Sequence, residues 1–404
     1  MLKPFKINRI IASFFLMSLI LASTLSAAES GTELKELRKE MENLKQSIRD
    51  REEKLVEMEQ KLNEIERRQE VTIPKTISTG QSTSTAELPD ISLIGNIQGR
   101  FGESPNNFSV NEIEFAVGGF LYPQIRADVY TALHKHDGEY EVELEEGYLS
   151  FLNLGGGFDA QIGKKLLNFG RLNSLHPHSW NFVERPVVLT EYLGDHGLAG
   201  NGVAVGYLLP LPLFSRIEVG AWRVDAPHEH DHEGMVTASP AGEIYTGRLL
   251  SSLPVSEKTD LEMGLSFLKG HGSHYEEHLD NLNLYGIDLT LRHYGPGYQR
   301  FLFRNEVIHN RREIPPGTQK KWGFYNELNW RWNKHWDTGY LYSWVEPPFP
   351  EEVREERKQL SLALTRSLGE TNKIRFQVSH DLEGEFVGYL QFIFGIGPHS
   401  HPIE

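Results

Sequence analysis

The sequence predicts an all-β transmembrane barrel of about 16 antiparallel strands, preceded by an α-helical coiled coil. Three observations predict it. From Ile91 to the C-terminus, segments of ten or so residues alternate apolar with polar, the period-two signature of strands. The connections between these segments alternate between tight turns and longer charged stretches. The polar face carries Arg and Glu near mid-strand, as a barrel with lipid outside and water inside requires.

Residues 1–28 read as an export signal: Lys3, Lys6 and Arg9, an apolar run from Ile10 to Leu25, then Ser26-Ala27-Ala28 before Glu29. Removing those three cations takes the formal charge from −15 to about −18 (−15 − 3). That balance excludes nucleic acid as a partner. The chain has 404 residues and no cysteine, so disulfides, Cys-type zinc sites, Cys nucleophiles and a lipidated N-terminal Cys are excluded. A mean hydropathy of −0.42 excludes a helical membrane protein.

Residues 29–70 form the coiled-coil region. Leu34, Leu37, Met41, Leu44, Ile48, Leu55, Met58, Leu62 and Ile65 follow alternating three- and four-residue steps, interrupted at Arg51. Such a stripe must be buried by self-association. Its Leu and Ile pattern leaves dimer and trimer open; with the barrel, the expectation is a homotrimer held through both parts. Residues 71–90, rich in Ser, Thr, Pro and Gly, read as a flexible linker.

The barrel occupies 91–404. Strands are expected at 91–101, 108–121, 122–134, 140–154, 156–166, 198–209, 214–225, 242–252, 258–270, 279–293, 298–310, 319–333, 336–346, 356–368, 370–380 and 385–397. Ile125, Val129 and Leu133 face one side, with Arg126, Asp128 and Tyr130 on the other. The tight connections include Tyr122-Pro123, Gly155-Gly156-Gly157, Pro210-Leu211-Pro212 and Gly295-Pro296-Gly297. Short turns on the periplasmic side and long loops outside are the outer-membrane pattern, which puts the coiled coil in the periplasm. Tyr122, Tyr298, Trp322, Trp330, Trp332, Trp336 and Trp344 lie near strand ends and suit interfacial girdles or the lumen. The longest connection, 167–197, contains Trp180, Phe182, Val183, Val187, Val188, Leu189 and Tyr192. It is too apolar for a solvated tip. It is expected to fold inward and narrow the pore, with Arg171, Trp180, Glu184, Arg185, Glu191 and Asp195 at the constriction.

Of 17 histidines, 13 fall on the outer side of this strand map. His134, His136 and Asp137 form one cluster and His176 and His178 a second. His228, Glu229, His230, Asp231 and His232 form a third, and His271, His274 and His278 a fourth. Imidazole and carboxylate suit zinc and similar cations, and His-x-His in an extended segment puts both rings on one face. Mobile loops of this kind suit exchangeable capture, which fails below about pH 6.5 as imidazole protonates. The metal is then a transported ligand, and no cofactor is required. Along the strands, Arg100, Arg126, Arg248, Arg292, Arg304, Arg331 and Arg375 mix with Glu114, Asp128, Glu143, Glu145, Glu243, Asp288, Glu306 and Glu327. An Arg ladder guides anions; a mixture produces a transverse field in a general pore. No His-Glu-x-x-His, Gly-x-Ser-x-Gly or phosphate-binding Gly loop is present, and an enzyme is not expected.

Signal, coiled coil, Ser/Thr linker and barrel together resemble the phosphate-selective porin (porin O and P) superfamily. The segment Asn168-Phe169-Gly170-Arg171-Leu172-Asn173-Ser174-Leu175-His176-Pro177-His178-Ser179-Trp180, with Arg185-Pro186 and Gly200-Asn201-Gly202-Val203, is closer still to outer-membrane proteins described as zinc-regulated or zinc-uptake receptors. The resemblance implies passage of divalent metal under zinc limitation across the outer membrane of a Gram-negative bacterium. Some of that group are described as energy-coupled, but about 300 barrel residues are too few for 22 strands and a plug. No lysine-rich constriction motif of phosphate porins matches this chain. Two alternatives stay open: a general or anion porin with incidental histidines, and an envelope tether whose coiled coil contacts peptidoglycan.

Overall fold

A computed structural model describes residues 89–397 apart from 103–106, 137–138, 226–238, 273–279, 315–316, 349–354, 370, 382–383 and 385. The signal, coiled coil and linker lie outside the described residues. The strands are β1 (Asp90–Phe101), β2 (Asn107–Tyr122), β3 (Ile125–His136), β4 (Glu139–Phe151), β5 (Phe158–Leu166), β6 (Ala199–Leu208), β7 (Phe214–Val224) and β8 (Pro240–Ser256), followed by β9 (Thr259–Gly272), β10 (Asn281–Tyr294), β11 (Arg300–Ile314), β12 (Gly317–Arg331), β13 (Trp336–Val345), β14 (Arg357–Ser367), β15 (Lys373–Asp381) and β16 (Phe386–Ile396). Each pairs antiparallel with its sequence neighbours, and β1 pairs with β16 from Leu93↔Ile396 to Phe101↔Gly388, which closes the barrel. The expected count of 16 holds. A closed sheet satisfies every ladder hydrogen bond without an edge, as a barrel in lipid must.

The alternation read in the sequence is an inside–outside alternation. On β14, Leu362 is exposed while Gln359 and Ser361 are buried. On β10, Tyr285 and Ile287 are exposed while Leu282, Leu284 and Asp288 are buried. The outer surface is therefore aliphatic and aromatic, a lipid-facing belt. Tyr122, Tyr298, Trp330 and Trp332 are exposed at the end with the tight turns, placed as an interfacial girdle.

The inner face is not uniformly polar. Ile244, Leu268, Leu282, Leu284, Ile308, Tyr325, Leu341 and Val345 point inward and form one apolar cluster with Leu167, Phe169, Leu172, Phe182, Val187, Val188, Leu189, Tyr192 and Leu193 of the connection between β5 and β6. That connection thus lies within the barrel and carries its own short helix, α1 (Val187–Leu193). Wall glycines form its sockets. A Cβ on Gly339 would sit 2.7 Å from Phe182 Cζ, and one on Gly286 would sit 3.1 Å from Phe169 Cζ. Each fully buried large side chain contributes about 1.5–3 kcal/mol of burial, offset in part by ordering the segment.

Candidate functional site

The inward segment is closed at its neck by Asn173. Its Nδ2 donates to the carbonyls of Leu167 (2.8 Å) and Leu198 (3.0 Å). Its Oδ1 accepts from Leu198 N (2.8 Å) and Arg185 Nη2 (2.7 Å). Arg185 also donates to the Gly194 carbonyl at 2.6 Å and lies over the Trp180 ring. Burial pushes the Arg185 guanidinium down to about 10.

Beyond the neck, wall side chains take up the segment's backbone polar groups. Arg375 Nη2 donates to the Trp180 carbonyl (2.7 Å) and Lys373 Nζ to that of His178 (3.0 Å). Val183 N donates to Gln377 Oε1 (2.7 Å), Val187 N to Gln359 Oε1 (3.1 Å) and Gly170 N to Ser266 Oγ (3.0 Å). Buried backbone groups outside a strand ladder need such partners. Lumen-facing polar residues of β9, β14 and β15 thereby hold the inward segment.

The other side of the segment ends in a cluster of imidazoles and carboxylates. Pro177 opens a single 3-10 turn (Pro177–Ser179), and His176 before it is extended, φ −68°, ψ 154°, as a residue preceding proline prefers. The turn directs His176 and His178 together, with ring centroids 5.8 Å apart. His176 Nε2 lies 2.9 Å from Glu146 Oε2; its Nδ1 lies 3.1 Å from Glu114 Oε2 and 3.2 Å from Glu145 Oε2. His178 Nδ1 is 3.4 Å from the same Glu114 oxygen, and His134 Nε2 is 3.0 Å from Glu145 Oε1. Glu112 adjoins Glu114 and His178.

A bulge explains how neighbouring residues of one strand both reach this place. Between β3 and β4, Tyr130 pairs with Glu146 and Thr131 with Leu144, so Glu145 is the extra residue. A regular strand would send Glu145 and Glu146 to opposite faces; the bulge turns both inward. Burial alone would lower the His176 imidazole. Hydrogen bonds to Glu114, Glu145 and Glu146 outweigh it and raise the ring well above its ordinary range.

Elsewhere four of the wall's arginines are matched by acids: Arg248 with Asp288 (2.7 Å), Arg304 with Glu327 (2.9 Å), Arg292 with Glu262 (2.9 Å) and Arg216 with Asp159 (2.6 Å) and Glu218 (2.7 Å).

The structure gathers three of the sequence-derived metal candidates, His134, His176 and His178, and moves two of them. His176 and His178 are 2% and 4% exposed inside the barrel, not on an external loop. His136 ends β3 and His271 lies on β9. Asp137, His228, Glu229, His230, Asp231, His232, His274 and His278 lie outside the described residues. The constriction set also divides. Trp180, Arg185 and Glu191 are buried in the segment's packing; a residue lining a water path stays accessible, so these three brace the segment instead. Arg171 and Glu184 are half-buried and Asp195 is exposed. Glu184 accepts from Tyr389 Oη at 2.7 Å. Glu112, Glu114, Glu145 and Glu146 were absent from the sequence-derived metal set. The signal for Glu114 and Glu145 was their place on the lumen face.

No family model matches the chain. An uncharacterized protein of Aquifex aeolicus is 26% identical over 372 residues, 80% of this chain and 77% of that protein. Among solved structures, a loop-deletion form of OmpT, an outer membrane protein of Vibrio cholerae, superposes with a TM-score of 0.52 at 8% identity, covering 77% of this chain and all of that one. OprB of Pseudomonas putida gives 0.51 at 10% identity over 76% and 94% of the two chains. The outer membrane channel DcaP of Acinetobacter baumannii gives 0.51 at 8% identity over 79% and 100%. The chain thus has the barrel fold of these outer-membrane proteins, with the segment between β5 and β6 folded inside it.

Proposed function

We propose that the protein is an outer-membrane channel for passive uptake of small solutes, and that its principal cargo is divalent metal, zinc foremost. The carrying observation is the charge layout of the inner wall. Arg216, Arg248, Arg292 and Arg304 are each matched by carboxylates, at Asp159 and Glu218, Asp288, Glu262 and Glu327, so these four do not stand free to guide anions. His134 and Glu145, the half-buried members of the imidazole–carboxylate cluster, offer imidazole and oxygen donors in the half of the barrel carrying the longer loops. That half faces outward if the tight turns face the periplasm. The sequence run His228, His230 and His232, between β7 and β8 in the chain, supplies further imidazole donors for capture. A homotrimer fits the barrel type; one of the similar structures is a trimer form of the Vibrio cholerae protein.

Planar bilayers holding the full mature chain test this. A salt gradient should give a reversal potential of cation sign, and zinc should enter liposomes faster with the native chain than with His228→Ala/His230→Ala/His232→Ala. The advantage should vanish below about pH 6.5, where imidazole is protonated. An anion-selective pore indifferent to zinc would overturn the reading, and cross-linking that yields no three-copy species would remove the trimer.

A further inference from the structure

Glu114 and Glu145 belong to the wall, on β2 and β4; His176 and His178 belong to the inward segment. Glu114 Oε2 and Glu145 Oε2 both approach one ring nitrogen, His176 Nδ1, at 3.1 and 3.2 Å. A ring nitrogen carries a single proton or a single lone pair, so two wall carboxylates and one ring atom converge on a single point. The same Glu114 oxygen faces a second ring at 3.4 Å. These separations match the edge of a tetrahedron with metal–ligand bonds of zinc length, about 3.3 Å. The donor atoms of Glu114, Glu145 and His176 all lie within 4.8 Å of one another, as do those of Glu112, Glu114 and His178.

Charge points the same way. Four carboxylates meet three imidazoles here, most of them held out of water. Gathering carboxylates in a water-poor place is costly, and a divalent cation is a compact way to offset that cost. The donor set of two carboxylates and one or two imidazoles is suited to zinc or a similar borderline ion rather than to calcium or magnesium, which take oxygen alone.

We propose that Glu114, Glu145 and His176, with His178 and Glu112 beside them, hold a resident divalent cation that latches the inward segment to the β2–β4 wall. Apolar packing secures the segment against β8–β13; the ion secures its other side. The latch goes beyond the transport reading, because a resident ion is required whether or not metal is the cargo.

The test uses the folded full-length chain in detergent, in a His228→Ala/His230→Ala/His232→Ala background that removes the outer run. Zinc is titrated against a chromogenic chelator, and cobalt(II) is added in zinc's place for its d–d absorption. One zinc should be retained at least tenfold more tightly than in Glu114→Gln or His176→Gln, both near-isosteric. Cobalt should give a tetrahedral-type band that either substitution abolishes. Heat-modifiable gel mobility establishes folding of each variant. A second measurement needs no substitution in the cluster: a chelator should speed protease cleavage within 181–197 at least tenfold, and zinc should reverse it. Equal zinc retention by the variants, or cleavage unaffected by the chelator, would overturn the latch. Bilayer selectivity is read separately, so a pore without cation preference that still retains this zinc defeats the transport reading and leaves the latch standing.

Discussion

Arg185 Nη2 donates to Asn173 Oδ1 at 2.7 Å, and this contact ties the middle of the inward segment to its neck. Asn173 in turn holds Leu167 and Leu198, the residues where the chain leaves β5 and approaches β6. One buried amide therefore fixes both the entrance and the return of a segment that must hold its shape without a strand ladder.

Asn173→Ala should open the neck. It removes four hydrogen bonds and leaves buried groups unsatisfied, at about 1–3 kcal/mol each where water cannot reach. The barrel ladder is untouched, so heat-modifiable mobility should persist. The expected changes are faster proteolysis within 181–197 and noisier, larger single-channel currents. A quiet channel of native conductance would show that the wall contacts suffice.

Gly170 is a position where the segment passes close against the wall. Its φ is +64°, and an added Cβ would strike the Glu306 carboxylate, which also accepts from Tyr325 Oη (3.1 Å) and Arg171 N (3.3 Å). Gly297 has nearly the same φ, +65°, with open space around it. Alanine at either site carries the backbone cost of about 1 kcal/mol. Only Gly170→Ala should also displace the segment and change conductance. Equal behaviour of the two variants, measured in the same bilayers, would assign the effect to φ alone.

Much of the barrel was legible in the sequence because period two is a local property. Leu362 and Phe376 outward with Gln359 and Gln377 inward need no knowledge of the neighbouring strand. The inward course of 167–197 was legible from Trp180, Phe182 and Val187 to Leu189, which no solvated tip would carry. The chemistry was less so. Alternation sends Glu145 and Glu146 to opposite faces, and only the unpaired position opposite Tyr130 and Thr131 brings both inward. Strand counting places His176 and His178 at the outer tip of a connection; burial of the whole connection carries them inside. Which wall residues await them depends on contacts across thirty to two hundred positions, such as Glu146 to His176 and Tyr389 to Glu184, which no spacing encodes.

Arg304 and Glu327 show how the wall's pairs should respond to substitution. Both are buried on neighbouring strands β11 and β12, 2.9 Å apart, and Glu327 also accepts from Asn181 of the inward segment. Removing one partner of a buried pair strands the other's charge, at about 3–5 kcal/mol, whereas replacing both with uncharged groups of similar volume is far milder. Arg304→Met alone should therefore lower the urea midpoint of the barrel more than Arg304→Met/Glu327→Gln. Glu327→Gln keeps an acceptor for Asn181, so the double variant should leave proteolysis of 181–197 near the native rate. In a double-mutant cycle the coupling should exceed the roughly 0–1 kcal/mol of an exposed pair. Coupling within that exposed range would mean that water reaches the pair, and that the β11–β12 face of the segment is a wetted surface on the solute's path.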